Sequence, residues 1–175
     1  KCIDKIRDTA NSHNRLFIVE VMGRDSGFIA LSAGVATGAL DIVLPETASN
    51  FDRMFDSVQK GAENKKTSNI IVVAEGNKLG TPFEISQKLI NKYPHLDIKV
   101  TVLGHVQRGG SPSTLDRVNA SIMGVAAVEN LINGKSDVMV GIVNNKVKCT
   151  SLKSVIDNNS SINFELERIS KILST

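Results

Sequence analysis

The sequence predicts an α/β domain built on a largely parallel sheet. Two observations carry that reading. Short β-branched runs alternate with helix-like segments along the chain, and the run Ile70–Ala74 is apolar at every position. A strand without polar alternation is expected where both of its faces are covered, as in parallel sheets. At 175 residues the chain is long enough for one domain with a sizeable core.

The elements follow in order. KCIDKIRDTANSH puts Cys2, Ile3 and Ile6 on one side and charges elsewhere, which predicts an amphipathic helix. Because the chain opens at Lys1 within that helix, further sequence is expected before it. Residues 16–21 read as a strand, MGRDSG as a turn, and residues 28–37, rich in small apolar side chains, as a buried helix. Residues 42–44 form the next strand, closed by Pro45. Asn50 is placed to cap a helix over Phe51–Glu63 with Phe51, Met54, Phe55 and Val58 on its core face. After the Ile70–Ala74 strand, NKLGTP is a loop and residues 83–92 a helix ended by Pro94. Residues 100–103 are a strand. Ser111 and Pro112 read as N-cap and first-turn proline of a long helix reaching about Asn133. Val138–Val143 is a further strand and Phe164–Leu173 a last amphipathic helix.

Composition excludes several classes. Hydrophobic residues make up 41% and charged residues 22%, ordinary for a globular protein. Aromatics are 4%, with no Trp, so a base-stacking nucleic-acid module has little to stack with. The net charge of +3 comes from interspersed charges and not from a polycationic arm. Cys2 and Cys149 lie far apart without metal-type spacing and read as thiols of a reducing, cytoplasmic compartment. No apolar run reaches the roughly 20 residues of a membrane helix, and the polar start is not a signal peptide.

In parallel α/β sheets ligands bind beyond the carboxyl ends of strands. That rule selects the segments after Val21, Ala74 and Leu103. In VEVMGRDSG, Gly23 permits close backbone approach, Arg24 offers a guanidinium fork, and a helix start follows; an ordinary tight turn fits the same residues. Glu75 follows an apolar strand, where its carboxylate can accept hydroxyl hydrogen bonds or stand in solvent. In VTVLGHVQRGGSPSTLDR, His105 and Arg108 sit beside glycines and a helix start, a combination suited to an anion. His105 lacks partners at metal-ligand spacing. Upstream, Ser12, His13 and Arg15 read as local capping and a surface cation, and Lys65, Lys66, Thr67 and Ser68 as a solvated turn. The residues thus imply a cationic cleft with one carboxylate, fit for an anionic polyhydroxyl compound such as a sugar phosphate.

SHNRLFIVEVMGR, VVAEG and VTVLGHVQRGGSPSTLDR, in this order and spacing, closely resemble the phosphofructokinase family, and the likeness runs over residues 3–143. It implies the C-terminal half of the phosphofructokinase fold, a Rossmann-like three-layer sandwich, with residues 1–175 forming the sugar-phosphate-binding portion. Met22, Gly23 and Arg24 match the segment lining the fructose 6-phosphate site, and the arginine of that motif also neutralises transition-state charge. Glu75 matches the carboxylate that holds sugar hydroxyls. His105 and Arg108, with Val106 and Gln107 between them, match the segment that clamps the 6-phosphate. Arg15 matches an arginine that reaches a neighbouring subunit's site. Lys99 stands where the family usually has a second such arginine, which keeps the charge and loses the bidentate fork.

The resemblance also implies a homo-oligomer, usually a tetramer, acting in glycolysis in the cytoplasm. ATP and Mg2+ would be bound mainly by an N-terminal half whose glycine-rich loops and catalytic aspartate have no counterpart here. The chain alone is therefore expected to be inactive. Of the family's effector site, Arg7 and Lys66 match, whereas Leu40, Thr67 and Ser68 depart from it, so nucleotide control is not expected. Two other readings are a pyrophosphate-dependent phosphotransferase and a non-catalytic subunit that binds sugar phosphate.

Overall fold

Four runs of aliphatic residues pair in parallel to form the central sheet. In the computed structural model, which describes residues 1–11, 15–48, 50–64, 69–158 and 161–173, they are β1 (Arg15–Val21), β2 (Asp41–Val43), β3 (Ile70–Ala74) and β4 (Asp97–Val102). Their order is β2-β3-β1-β4. The register sets Val21 beside Ala74 and Glu20 beside Val102, so β3, β1 and β4 end together.

The helices are α1 (Cys2–Asn11), α2 (Phe28–Ala36), α3 (Phe51–Glu63), α4 (Pro82–Lys92), α5 (Thr114–Ile132), α6 (Leu152–Asp157) and α7 (Phe164–Leu173). Alternation along β1 sends Phe17, Val19 and Val21 to one face, where they meet Ile3 of α1, Ala30 and Leu31 of α2, and Ile162 just before α7. Leu16 and Ile18 point the other way, against Met54 and Val58 of α3 and Ile85 and Leu89 of α4. Helices therefore cover both faces, and the three-layer expectation holds. Side chains such as Ile18, Ile71 and Ile85 are fully buried, each worth about 2 kcal/mol of hydrophobic stabilisation.

Local chemistry sets the helix starts. The Asn50 side chain accepts a hydrogen bond from the Arg53 amide at 2.8 Å, as expected of an N-cap. Thr81 and Glu84 form a reciprocal capping box, with Pro82 in the first turn. The start of α5 differs from expectation. Ser113 is its N-cap, because Asp116 stands three residues on: Ser113 Oγ accepts from the Asp116 amide and Asp116 Oδ2 accepts from the Ser113 amide. Ser111 and Pro112 lie outside the helix.

Three elements were not anticipated. Residues Gly104–Arg108 wind into a 3-10 turn. Lys146–Ser151 is a strand, β6, antiparallel to β5 (Val138–Val143). Asn144 and Asn145 join them, both at positive φ, 51° and 60°, the requirement of a tight two-residue hairpin turn. The short α6 then follows Ser151, whose hydroxyl caps it. The lysines of β6 and its lack of an apolar run had hidden it.

The chain divides into two compact units. Lys1–Arg108 with Ile162–Thr175 holds the parallel sheet, and Gly109–Ser161 holds α5, the hairpin and α6. Among the described residues of the second unit none is fully buried.

Candidate functional site

Because β3, β1 and β4 are parallel neighbours, the segments that leave them emerge along one edge of the sheet. Glu75 directly follows β3, Met22 to Arg24 follow β1, and the Gly104–Arg108 turn follows β4. The Glu75 amide donates to Val21 O at 2.9 Å and the Leu103 amide to Glu20 O at 3.1 Å, extending the pairing past the last strand residues.

The loop after β1 is held by side chains from both neighbours. Glu75 Oε2 accepts from the amides of Gly23 at 3.3 Å and Arg24 at 3.1 Å. Gln107 Oε1 accepts from the Met22 amide at 3.3 Å. Arg24 has a φ of 53°, the left-handed region that a non-glycine residue enters only under constraint. Across from it Gly76, at φ 76°, leaves no room for a β-carbon against the Arg24 carbonyl. The two strand exits thus touch backbone to backbone.

Electrostatics follow this geometry. The hydrogen bonds from the Arg24 and Gly23 amides, helped by the Arg24 and Arg108 charges, hold the Glu75 carboxyl below its ordinary range. Glu75 is therefore ionised at neutral pH. Its Oε1 accepts no hydrogen bond from another described residue. Glu20, half-buried on β1, is pushed up by burial and then by the Glu75 charge. Nothing in its sequence position marked Glu20 as part of this edge.

His105 and Arg108 are exposed on the turn, and among the described residues neither side chain makes a hydrogen bond. Val106 is 61% exposed beside them. The structure thus brings Met22, Gly23, Arg24, Glu75, His105, Val106, Gln107 and Arg108 to a single edge. Guanidinium forks and a carboxylate side by side suit a ligand that carries both an oxyanion and hydroxyls.

Two further contacts shape this edge. At the start of α2, Glu46 Oε1 accepts from the amide of the N-cap residue Gly27 at 2.8 Å. Gln107 turns its amide group to backbone, since its Nε2 donates to Gly104 O at 3.2 Å while its Oε1 serves Met22.

Arg15 and Lys99 lie elsewhere. Arg15 begins β1, about 20 Å of strand away from Val21 at roughly 3.3 Å per residue. Asp97 binds both cations: Arg15 Nε at 2.6 Å and Lys99 Nζ at 2.7 Å. Those two bonds hold its carboxyl down, the one from Lys99 most strongly. The Asp-x-Lys alternation, the one sequence signal for Asp97, puts both side chains on one face of β4.

Of the effector-type positions, Leu40 is buried in the core with Met54 and Val58. Arg7 donates to Thr37 O at 3.4 Å, at the end of α2. Ser12, His13, Lys65, Lys66, Thr67 and Ser68 lie outside the described residues. Among the described residues no three His, Cys, Asp or Glu side chains cluster as metal ligands, and no helix is long and apolar enough to cross a membrane. Cys2 and Cys149 are exposed thiols.

The family model for phosphofructokinase matches residues 1–131. ATP-dependent 6-phosphofructokinase 2 of Bacteroides thetaiotaomicron is 40% identical over 172 residues, 98% of this chain and 53% of that protein. ATP-dependent 6-phosphofructokinase of Bacillus cytotoxicus is 47% identical over 172 residues, with the same coverage. The chain spans about half the length of the curated relatives it matches. Among solved structures, phosphofructokinase from Saccharomyces cerevisiae superposes with a TM-score of 0.81 at 35% identity, covering 98% of this chain and 23% of that one. The pyrophosphate-dependent phosphofructokinase from Marinobacter aquaeolei shares the fold, with a TM-score of 0.76 at 22% identity over 94% of this chain and 46% of that one. A match over three strand ends, their connecting helices and most of the chain's length leaves one conclusion: the chain belongs to the phosphofructokinase family.

Proposed function

We propose that this chain forms the fructose 6-phosphate side of the active site of an ATP-dependent 6-phosphofructokinase. The observation that carries the reading is the gathering of Arg24, Glu75 and the His105–Arg108 turn at three adjacent strand ends. His105 and Arg108 take the 6-phosphate, Arg108 through paired donors. Glu75 Oε1 accepts from a sugar hydroxyl, held ionised by the amides on Oε2. Val106 and Gln107 belong to the same turn. Met22 and Gly23 line the approach. Arg24 sets its positive charge where charge builds up as the phosphoryl group moves, so it acts on turnover more than on binding.

Transfer of a phosphoryl group to the sugar's 1-hydroxyl also needs a base and a donor site, and no group on this chain is given either role. Mg2+ accompanies nucleotide donors in such reactions, and the described residues offer it no cluster of three His, Cys, Asp or Glu. ATP is favoured over pyrophosphate because relatives at 40% and 47% identity are ATP-dependent, while the pyrophosphate-dependent neighbour shares only the fold. Arg15 and Lys99, at the opposite end of the strands, fit service to a neighbouring subunit of a homo-oligomer, with Asp97 keeping the pair in place. A tetramer in the cytoplasm, acting in glycolysis, accords with this reading.

The test uses the complete enzyme. Arg108→Ala should raise KM for fructose 6-phosphate about tenfold to a hundredfold, the loss expected of charge-assisted bonds, with KM for ATP unchanged. Arg24→Ala should chiefly lower kcat. An unaltered sugar-phosphate KM in Arg108→Ala removes the phosphate clamp from this edge.

A further inference from the structure

The HVQR turn contains one side chain that behaves unlike its neighbours. Val106 and Arg108 stand in solvent, whereas Gln107 is half-buried and both ends of its amide are engaged by backbone. The partners settle which end is which. A backbone N–H at Met22 requires the oxygen, and a backbone carbonyl at Gly104 requires the nitrogen. Gln107 thus ties the first residue of its own turn to the first residue after β1.

We infer that Gln107 is a positioning residue, a latch that places the His105–Arg108 turn against the exit of β1, and not a ligand of the substrate. The inference rests on the reading of this edge as the sugar-phosphate site. Three successive amides leave β1 without strand partners, and two side chains take all three: Gln107 takes Met22, and Glu75 takes Gly23 and Arg24. The loop bearing Arg24 is therefore set from β3 by Glu75 and from β4 by Gln107. Positive φ at Gly104, 51°, lets the turn fold back far enough for the side chain to reach both partners. With its acceptor and donor spent within the chain, Gln107 has one amide hydrogen left. Its side chain is poorly suited to hold a phosphate, for which His105 and Arg108 are exposed on the same turn.

Gln107→Leu keeps the volume and removes both bonds, and Gln107→Ala serves if the leucine disturbs packing. On the 175-residue chain, amide hydrogen exchange and nitrogen–proton spectra are read residue by residue, and fructose 6-phosphate binding by calorimetry. Met22 exchange should rise about tenfold, as for loss of two hydrogen bonds, while Gly23 and Arg24, still held by Glu75, stay within about twofold. The resonances of His105 and Arg108 should shift, and affinity should fall about tenfold. Arg108→Ala should lose affinity without changing Met22 exchange. Weakened binding with Met22 unchanged would make Gln107 a direct ligand and overturn the inference. Faster Met22 exchange with the His105 and Arg108 resonances unmoved would also overturn it, since the latch would then place nothing. If the unaltered chain binds no fructose 6-phosphate, the ligand reading fails, and the amide data alone decide whether Gln107 sets the turn.

Discussion

At the residue scale, the site is held by backbone geometry that ordinary propensity disfavours. Arg24 sits at φ 53° because Glu75 binds its amide and Gly76 admits its carbonyl at close range. Arg24→Gly should therefore relieve strain of about 1 kcal/mol, partly offset by greater freedom in the unfolded chain, for a net gain of about 0.5 kcal/mol in urea unfolding. The same change should sharply lower kcat in the complete enzyme. A stability loss would mean that the Arg24 side chain contributes to the fold. MGR and the Glu75 position were legible from the strand-end rule. The left-handed turn at Arg24 was not, because an arginine gives no local sign of positive φ. Gln107 was readable only as part of a motif, since an amide's partners are chosen by which strands lie adjacent.

At the element scale, strands and helices with strong patterns were legible: Ile70–Ala74, Phe51–Glu63 and Phe164–Leu173 stand where periodicity puts them. The start of α5 was misplaced because Ser111-Pro112 and Ser113-x-x-Asp116 compete as start signals, and the capping box satisfies more amides. One tie between elements has a measurable value. Asp41 of β2 is buried, and burial pushes its carboxyl up against the opposing pull of Arg53 on α3, which donates to it at 3.1 Å. Arg53→Ala should leave that carboxylate, among the described residues, with the Ile42 amide as its one hydrogen-bond partner. The expected cost is about 2 kcal/mol in urea unfolding at pH 7, shrinking as the pH falls and Asp41 protonates. A variant as stable as the parent would show that water replaces the guanidinium without penalty.

At the scale of the whole molecule, carboxylates set the acid limit. Asp4, Glu75, Glu84, Asp97, Asp116 and Glu165 have lowered folded values, and Glu20 and Asp41 raised ones. A lowered group binds fewer protons folded than unfolded. Its contribution is complete above its ordinary value, near 4 to 4.5, and is lost as pH falls through the folded one. The two raised groups act in the opposite sense and at higher pH: their contribution is complete below the ordinary value and is lost as pH rises through the folded one. With six against two, the urea midpoint should fall as pH drops below about 4, and Glu75→Gln with Asp97→Asn should flatten that fall. A midpoint that holds or rises below about pH 4 would show that the lowered carboxylates do not set the acid limit.

The strand-end glycines, the Arg24, Glu75, His105 and Arg108 set, and the α/β alternation are encoded locally, in residue type and short-range period, so the sequence alone determined the fold class and which side chains stand at the strand ends. Only the tertiary structure decided that Gln107 binds backbone, that Glu46 binds the Gly27 amide before α2, and that Asp97 holds Arg15 and Lys99 at the far end of the strands. Each of those choices depends on which strands become neighbours and in what register. That order is set by burial on both faces of the sheet, which no local stretch of chain records.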